Sequence, residues 1–175
     1  GGAAVIGIAW LVPIVGAWFG WQLGRAGSGP GGVLKAIVIT LLAFAIVPLA
    51  GFAASKAGIP AQSLTTLYIF CAAAIAAVLL AMQAWPALGR TLLGYGLAAR
   101  IPVVLVMLVA MLANWGTHYD VAPPDFPAMS TLAKWFTIGL LPQLTVWMAY
   151  TVVIGGLCGI IAGAIASRRP ATAAA

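Results

Sequence analysis

The stretch that decides the fold is residues 33–54, which read VLKAIVITLLAFAIVPLAGFAA. Lys35 is its only charged residue, and it lies at the start of the stretch. A helix needs about 20 mostly apolar residues to cross a hydrocarbon core of roughly 30 Å. The stretch is that long, so it predicts a transmembrane helix, with Pro48 bending it near its far end.

The composition of the whole chain agrees with this interpretation. Its 175 residues are 64% hydrophobic and only 6% charged, whereas a soluble domain carries about 25% charged residues. The net charge of +6 comes from bases scattered singly between apolar runs. That pattern is typical of anchors at a membrane surface and not of a face that binds phosphates. We therefore expect the lipid bilayer to be the solvent of the folded chain and exclude nucleic-acid binding.

The apolar segments predict the architecture. We expect an all-α integral membrane protein, a single domain over residues 1–175, built as a bundle of about five transmembrane helices with short interfacial helices. Two less apolar or proline-bounded stretches, 85–97 and 131–141, are expected to lie at the membrane interface, the second being separated from the last span by Pro142. The five spans are expected at residues 3–23, 33–54, 63–84, 98–114 and 143–166.

The basic residues predict an orientation. Loops on the cytoplasmic side of a membrane carry an excess of Lys and Arg. Lys56, Lys134 and the two aspartates fall on one side of the predicted bundle. This distribution favours a bacterial inner-membrane protein with a cytoplasmic C-terminus. Six bases fall on the opposite side: Arg25, Lys35, Arg90, Arg100, Arg168 and Arg169.

Glycines recur at four-residue spacing in the first and last spans. Residues four apart share a helix face, so each row forms a groove without side chains. In lipid such grooves permit close helix contact. Two interpretations stay open: packing of the two helices on each other, or a face for a partner membrane protein or a second copy. The two rows are Gly16, Gly20 and Gly24, and Gly155, Gly159 and Gly163.

A second candidate is the polar cluster NWGTHYD at residues 114–120. It contains His118, the only histidine, together with Asn114 and Asp120. His118 and Asp120 suggest a metal site or an acid–base pair, but a zinc site takes three or four ligands, which this side barely supplies. The alternative is an aromatic belt whose polar residues are hydrated. We predict no metal and no cofactor.

Arg100 is the third candidate. An ionisable residue within a span is a functional hypothesis by default. We expect Arg100 near the cytoplasmic end of the fourth span, where its side chain extends to lipid phosphate. The alternative is recognition of a substrate or a lipid headgroup.

Three classes of function remain open. The sequence favours a non-catalytic structural or accessory subunit of a membrane complex, because two glycine rows are present and no motif names a reaction. The second class is a small-solute transporter or channel. The third is a lipid-modifying membrane enzyme, although we expect no catalytic residue.

Overall fold

The computed structural model describes residues 9–123 and 126–168, and these form helices and connectors without a β-strand. Four helices of the described part are long and apolar enough to cross a membrane. The prediction of an all-α membrane bundle is confirmed. The first six residues of the predicted span 3–23 lie outside the described residues. The helices are α1 (Leu11–Arg25), α2 (Val33–Lys56), α3 (Leu64–Ala84), α4 (Pro86–Ala113) and α5 (Thr131–Ser167).

Local chemistry sets the ends of α3 and α4. Helix α3 begins after Ser63, whose hydroxyl accepts a hydrogen bond from the backbone N–H of Thr66 at 3.2 Å. This cap satisfies one of the free N–H groups of the first turn. Only Trp85 separates α4 from the end of α3, and Pro86 lies in the first turn of α4, where a missing N–H costs nothing. It ends at Asn114, whose φ of 51° lies in the left-handed region, a common way to stop a helix.

Helix α4 differs from the expected division into an interfacial stretch, 85–97, and a span, 98–114. One helix of 28 residues covers both. Pro86 starts this helix, and Pro102 in its interior does not end it. Proline is tolerated in membrane helices because neighbouring groups compensate for the lost backbone hydrogen bond.

Helix α5 also differs from the sequence interpretation, which divided it at Pro142. The helical path continues from Thr131 to Ser167. Its irregularities are a π-helical segment, Trp135–Leu140, and the residue Thr145 with φ −122° and ψ −73°. Pro142 lies between them within helical backbone. A π-helix changes the hydrogen-bond period, which sequence spacing does not reveal.

The two glycine rows contact each other. A Cβ atom at Gly24 would lie 2.6 Å from the carbonyl oxygen of Gly163, and one at Gly159 would lie 2.7 Å from that of Gly16. Both distances are too short for real Cβ atoms. The contacts advance by four residues in both helices, from Gly16–Gly155 to Gly20–Gly159 to Gly24–Gly163. Helices α1 and α5 are therefore parallel and touch backbone to backbone.

Helix α4 packs beside this pair and contacts the same glycines of α5. A Cβ at Gly163 would lie 2.5 Å from the Trp85 ring, and one at Gly159 would lie 2.6 Å from Leu88. Farther along, a Cβ at Gly96 of α4 would lie 2.8 Å from Met148 of α5. Because residue numbers rise in α4 as they fall in α5, the two helices are antiparallel.

Helices α2 and α3 complete the bundle. Their small buried side chains, including Ala36, Ala43, Ala74 and Ala77, belong to the same core cluster as Trp85 and Leu88. The indole N–H of Trp85 donates to the carbonyl of Ser28 at 2.9 Å. This bond ties the α1–α2 connector to the start of α4. We call the end of the bundle that holds Arg25, Trp85 and Ser167 the arginine end, and the opposite end the loop end.

The glycine contact predicts an unusual sensitivity to one methyl group. Gly159→Ala should lower the stability of the folded chain by about 1–3 kcal/mol, because the new methyl meets backbone that cannot move freely. The measurement is unfolding of the purified chain in mild detergent, followed by circular dichroism.

Gly156→Ala is the matched control, since it adds the same methyl to the same buried helix. The nearest atom to its Cβ is Leu92 Cδ1 at 4.0 Å, so this variant should be at least as stable as the native chain. Equal loss of stability in both variants would contradict the described contact.

Candidate functional site

Arg100 lies midway along α4. The sequence had suggested a position near the cytoplasmic end of the fourth span. Fifteen residues separate Arg100 from Trp85 and thirteen from Ala113, which correspond to about 22 and 20 Å of helical rise. The sequence interpretation began the span near residue 98, whereas the helix begins at Pro86.

The guanidinium of Arg100 contacts two side chains of α5. Its carbon Cζ lies 4.6 Å from the centroid of the Trp147 ring, within the range of a cation–π interaction. Its Nη1 donates to Oε1 of Gln143 at 3.4 Å. Its Nε is buried and has no hydrogen-bond partner among the described residues. We call Arg100, Gln143 and Trp147 the arginine seam.

The backbone around the arginine seam departs from regular α-helix. Pro102 follows Arg100 by two residues and lacks the N–H that would bond the carbonyl of Ala98. Across the contact lies the π-helical segment of α5, in which the indole N–H of Trp135 donates to the carbonyl of Val104 at 2.9 Å. The hydroxyl of Thr145 donates to the carbonyl of Leu141 at 2.6 Å. Irregular helices in membrane proteins are often found at functional sites.

The loop-end cluster is organised around Asp120. Its Oδ2 accepts from the backbone N–H of Gly116 at 2.9 Å, and its Oδ1 accepts from the N–H of Thr117 at 2.6 Å and the Thr117 hydroxyl at 3.0 Å. Gly116 has a φ of 68°, which favours glycine. Both carboxylate oxygens are thus engaged by the residues that precede them, and Asp120 is only 5% exposed.

The surroundings of Asp120 lower the pKa of its carboxyl group. Burial, the largest single influence, raises that pKa. The hydrogen bonds from Gly116 and Thr117 and the positive charge of Lys134 favour the ionised form and outweigh burial. The ionised carboxylate therefore stabilises this loop at neutral pH.

No hydrogen bond among the described residues joins His118 or Asn114 to Asp120, whose partners are Gly116 and Thr117. The His118 ring lies against Tyr119, with 4.0 Å between ring centroids. Asn114 is exposed and ends α4. Within residues 9–123 and 126–168, no three His, Cys, Asp or Glu side chains are close enough to hold a metal ion.

The structure keeps apart the two candidates that the sequence analysis treated separately, the 114–120 cluster and Arg100. Arg100 lies about 20 Å of helical rise from the 114–120 cluster. The residues that contact Arg100 were missed, although Gln143 and Trp147 share a face of α5 through their four-residue spacing. Only the continuous path of α4 shows that this face meets Arg100.

Comparison with family models, with curated proteins and with solved structures finds no match to this chain.

The geometry of the loop predicts a measurable titration. Because the folded-state pKa of Asp120 lies below its ordinary value of 3.8, the carboxylate stabilises the loop above that pH and loses this effect as the pH falls through the lower value. The amide shifts of Gly116 and Thr117 in ¹⁵N-labelled protein should therefore titrate with a midpoint below 3.8.

Asp120→Asn is the control, because it removes the titrating group and should abolish this transition. A midpoint at or above 3.8 in the native chain would contradict the described hydrogen bonds.

Proposed function

We propose that this chain is a non-catalytic accessory subunit of a membrane complex and that it meets its partner at the arginine seam. The observation that carries the proposal is a cation midway along a membrane-length helix with one neutral acceptor at 3.4 Å among the described residues. A charge at the centre of a membrane helix costs about 2.5–3.5 kcal/mol on insertion scales. A partner that completes the interactions of Arg100 offsets this cost.

The surface beside Arg100 supports a docking role. Leu97 and Ile101 flank Arg100 on α4 and are 38% and 48% exposed. This exposed apolar surface is available to a second helix. The two glycine rows are buried against each other within the chain, so we assign the partner to the arginine seam and not to the glycine faces.

We further propose that the protein lies in a bacterial inner membrane with its C-terminus in the cytoplasm. The support is the charge at the arginine end: α1 ends there at Arg25, Arg168 directly follows the end of α5, and Arg90 lies in the second turn of α4. An excess of basic residues marks the cytoplasmic side. The loop end carries the buried carboxylate of Asp120.

The proposal is tested by purification from native membranes in mild detergent. The native chain should elute with a stoichiometric partner, identified by mass spectrometry. Arg100→Gln should reduce the amount of retained partner about tenfold, the ratio that corresponds to roughly 1.4 kcal/mol. Arg90→Gln is the matched control, because it removes an exposed arginine from the same helix and should retain the partner.

Two results would contradict this function. One is a native chain that elutes alone under conditions that preserve other membrane complexes. The other is solute flux across liposomes that contain only this chain, which would favour the transporter class. Thermal unfolding of Arg100→Gln checks that loss of the partner is not loss of the fold.

A further inference from the structure

We infer that the arginine seam receives a carboxylate, from an Asp or Glu side chain on a transmembrane helix of the partner. This inference rests on the proposed function and adds the chemistry of the partner to it. The juxtaposition behind it is Arg100 beside the neutral amide of Gln143 and the face of Trp147.

The hydrogen bonding of Arg100 is incomplete within the chain. A guanidinium carries five N–H donors, and the described residues supply one hydrogen-bond acceptor, the oxygen of Gln143 at 3.4 Å. Hydrogen bonds from a cation to a carboxylate are shorter, about 2.7–2.9 Å. The bond to Gln143 is therefore a weak one, and a carboxylate at the same place would bind the guanidinium more strongly.

The contact with Trp147 favours a defined binding geometry. The guanidinium carbon lies over the indole ring, 4.6 Å from its centroid, and a planar guanidinium presents its donors in a fork that matches a carboxylate. Arginine loses less side-chain freedom on binding when its orientation is already set. The seam is thus a preorganised donor, which a flexible surface arginine is not.

The described residues bring no carboxylate to Arg100. The sequence contains two acidic residues, Asp120 and Asp125, and both follow α4. Asp120 is engaged by Gly116 and Thr117. A second copy packed side by side would present the same Asp120, which follows α4 and is already engaged by its own loop. Charge complementarity therefore points to a different membrane protein with an acidic residue inside a span.

The position of Arg100 favours a helix over a lipid headgroup as the source of the anion. The residue lies about 20 Å of helical rise from either end of α4, and its side chain is held across the seam by α5. Lipid phosphates lie at the membrane surface, outside the hydrocarbon core. An acidic residue within a neighbouring span is at the required depth.

The test uses the full chain in phosphatidylcholine vesicles with a synthetic transmembrane peptide of leucine and alanine. The peptide carries one Glu at its middle and an acceptor fluorophore. The chain carries a donor fluorophore at Gln62→Cys, with Cys71 and Cys158 replaced by alanine. Energy transfer measures association at pH 8. Two further peptides, with Gln or Leu in place of Glu, provide the matched controls.

The Glu peptide should associate at least about fivefold more strongly than the Gln peptide, a ratio that corresponds to about 1 kcal/mol, because a charge-assisted hydrogen bond is stronger than a neutral one. Arg100→Gln should abolish the difference between the two peptides, whereas Arg90→Gln should keep it. Equal association of the Glu and Gln peptides would overturn the inference. A preference for the Glu peptide that persists in Arg100→Gln would also overturn the inference.

A separate arm distinguishes a lipid from a helix. If phosphatidylglycerol in the vesicles changes the tryptophan fluorescence of the native chain but not of Trp147→Phe, while the Glu peptide shows no preference, the anion is a lipid phosphate and the inference falls. The proposed function fails separately, when Arg100→Gln retains the native partner in detergent. If Arg100→Gln releases the partner but the peptide assay shows no preference for Glu, the proposed function stands and only the inference of a carboxylate is wrong.

Discussion

The backbone contact between the parallel helices α1 and α5 is the constraint on which the rest of the structure depends. In lipid, helices gain little from burying apolar side chains, so close packing and dispersion must hold them together. Gly20 and Gly159 make this possible because a side chain on either would occupy the neighbouring backbone. The same glycines of α5 also face the large side chains of α4, since a Cβ at Gly159 or Gly163 would meet both the backbone of α1 and Leu88 or Trp85.

The arginine seam follows from this arrangement. Since Trp85 lies against Gly163 at one end, antiparallel packing brings Arg100 beside Gln143 and Trp147 further along. The π-helical segment of α5 then places Trp135 against the backbone of α4. A rigid glycine contact at the arginine end thus supports an irregular, polar contact in the second half of the bundle. The proposed docking of a partner uses the second contact and requires the first.

The sequence predicts the fold class because ten charges in 175 residues leave lipid as the only suitable solvent. It does not predict the two long helices, because proline has different effects at different positions. Pro86 begins α4, while Pro102 and Pro142 lie within helical backbone. The glycine spacing is visible in the sequence, but the parallel register of Gly16 with Gly155 is a property of three-dimensional packing. The position of Arg100 depends on that packing too.

The central claim is that α1 and α5 run parallel and meet at the arginine end, and a disulfide tests it most directly. A Cβ at Gly29 would lie 3.7 Å from the Cβ of Ser167, within the range of about 3.5–4.5 Å that disulfides need. With the free cysteines Cys71 and Cys158 replaced by alanine, Gly29→Cys with Ser167→Cys should cross-link on mild oxidation in membranes. Gly29→Cys with Ser63→Cys, at opposite ends of the bundle, should not. Cross-linking of the Gly29–Ser63 pair without cross-linking of the Gly29–Ser167 pair would contradict the parallel arrangement of α1 and α5.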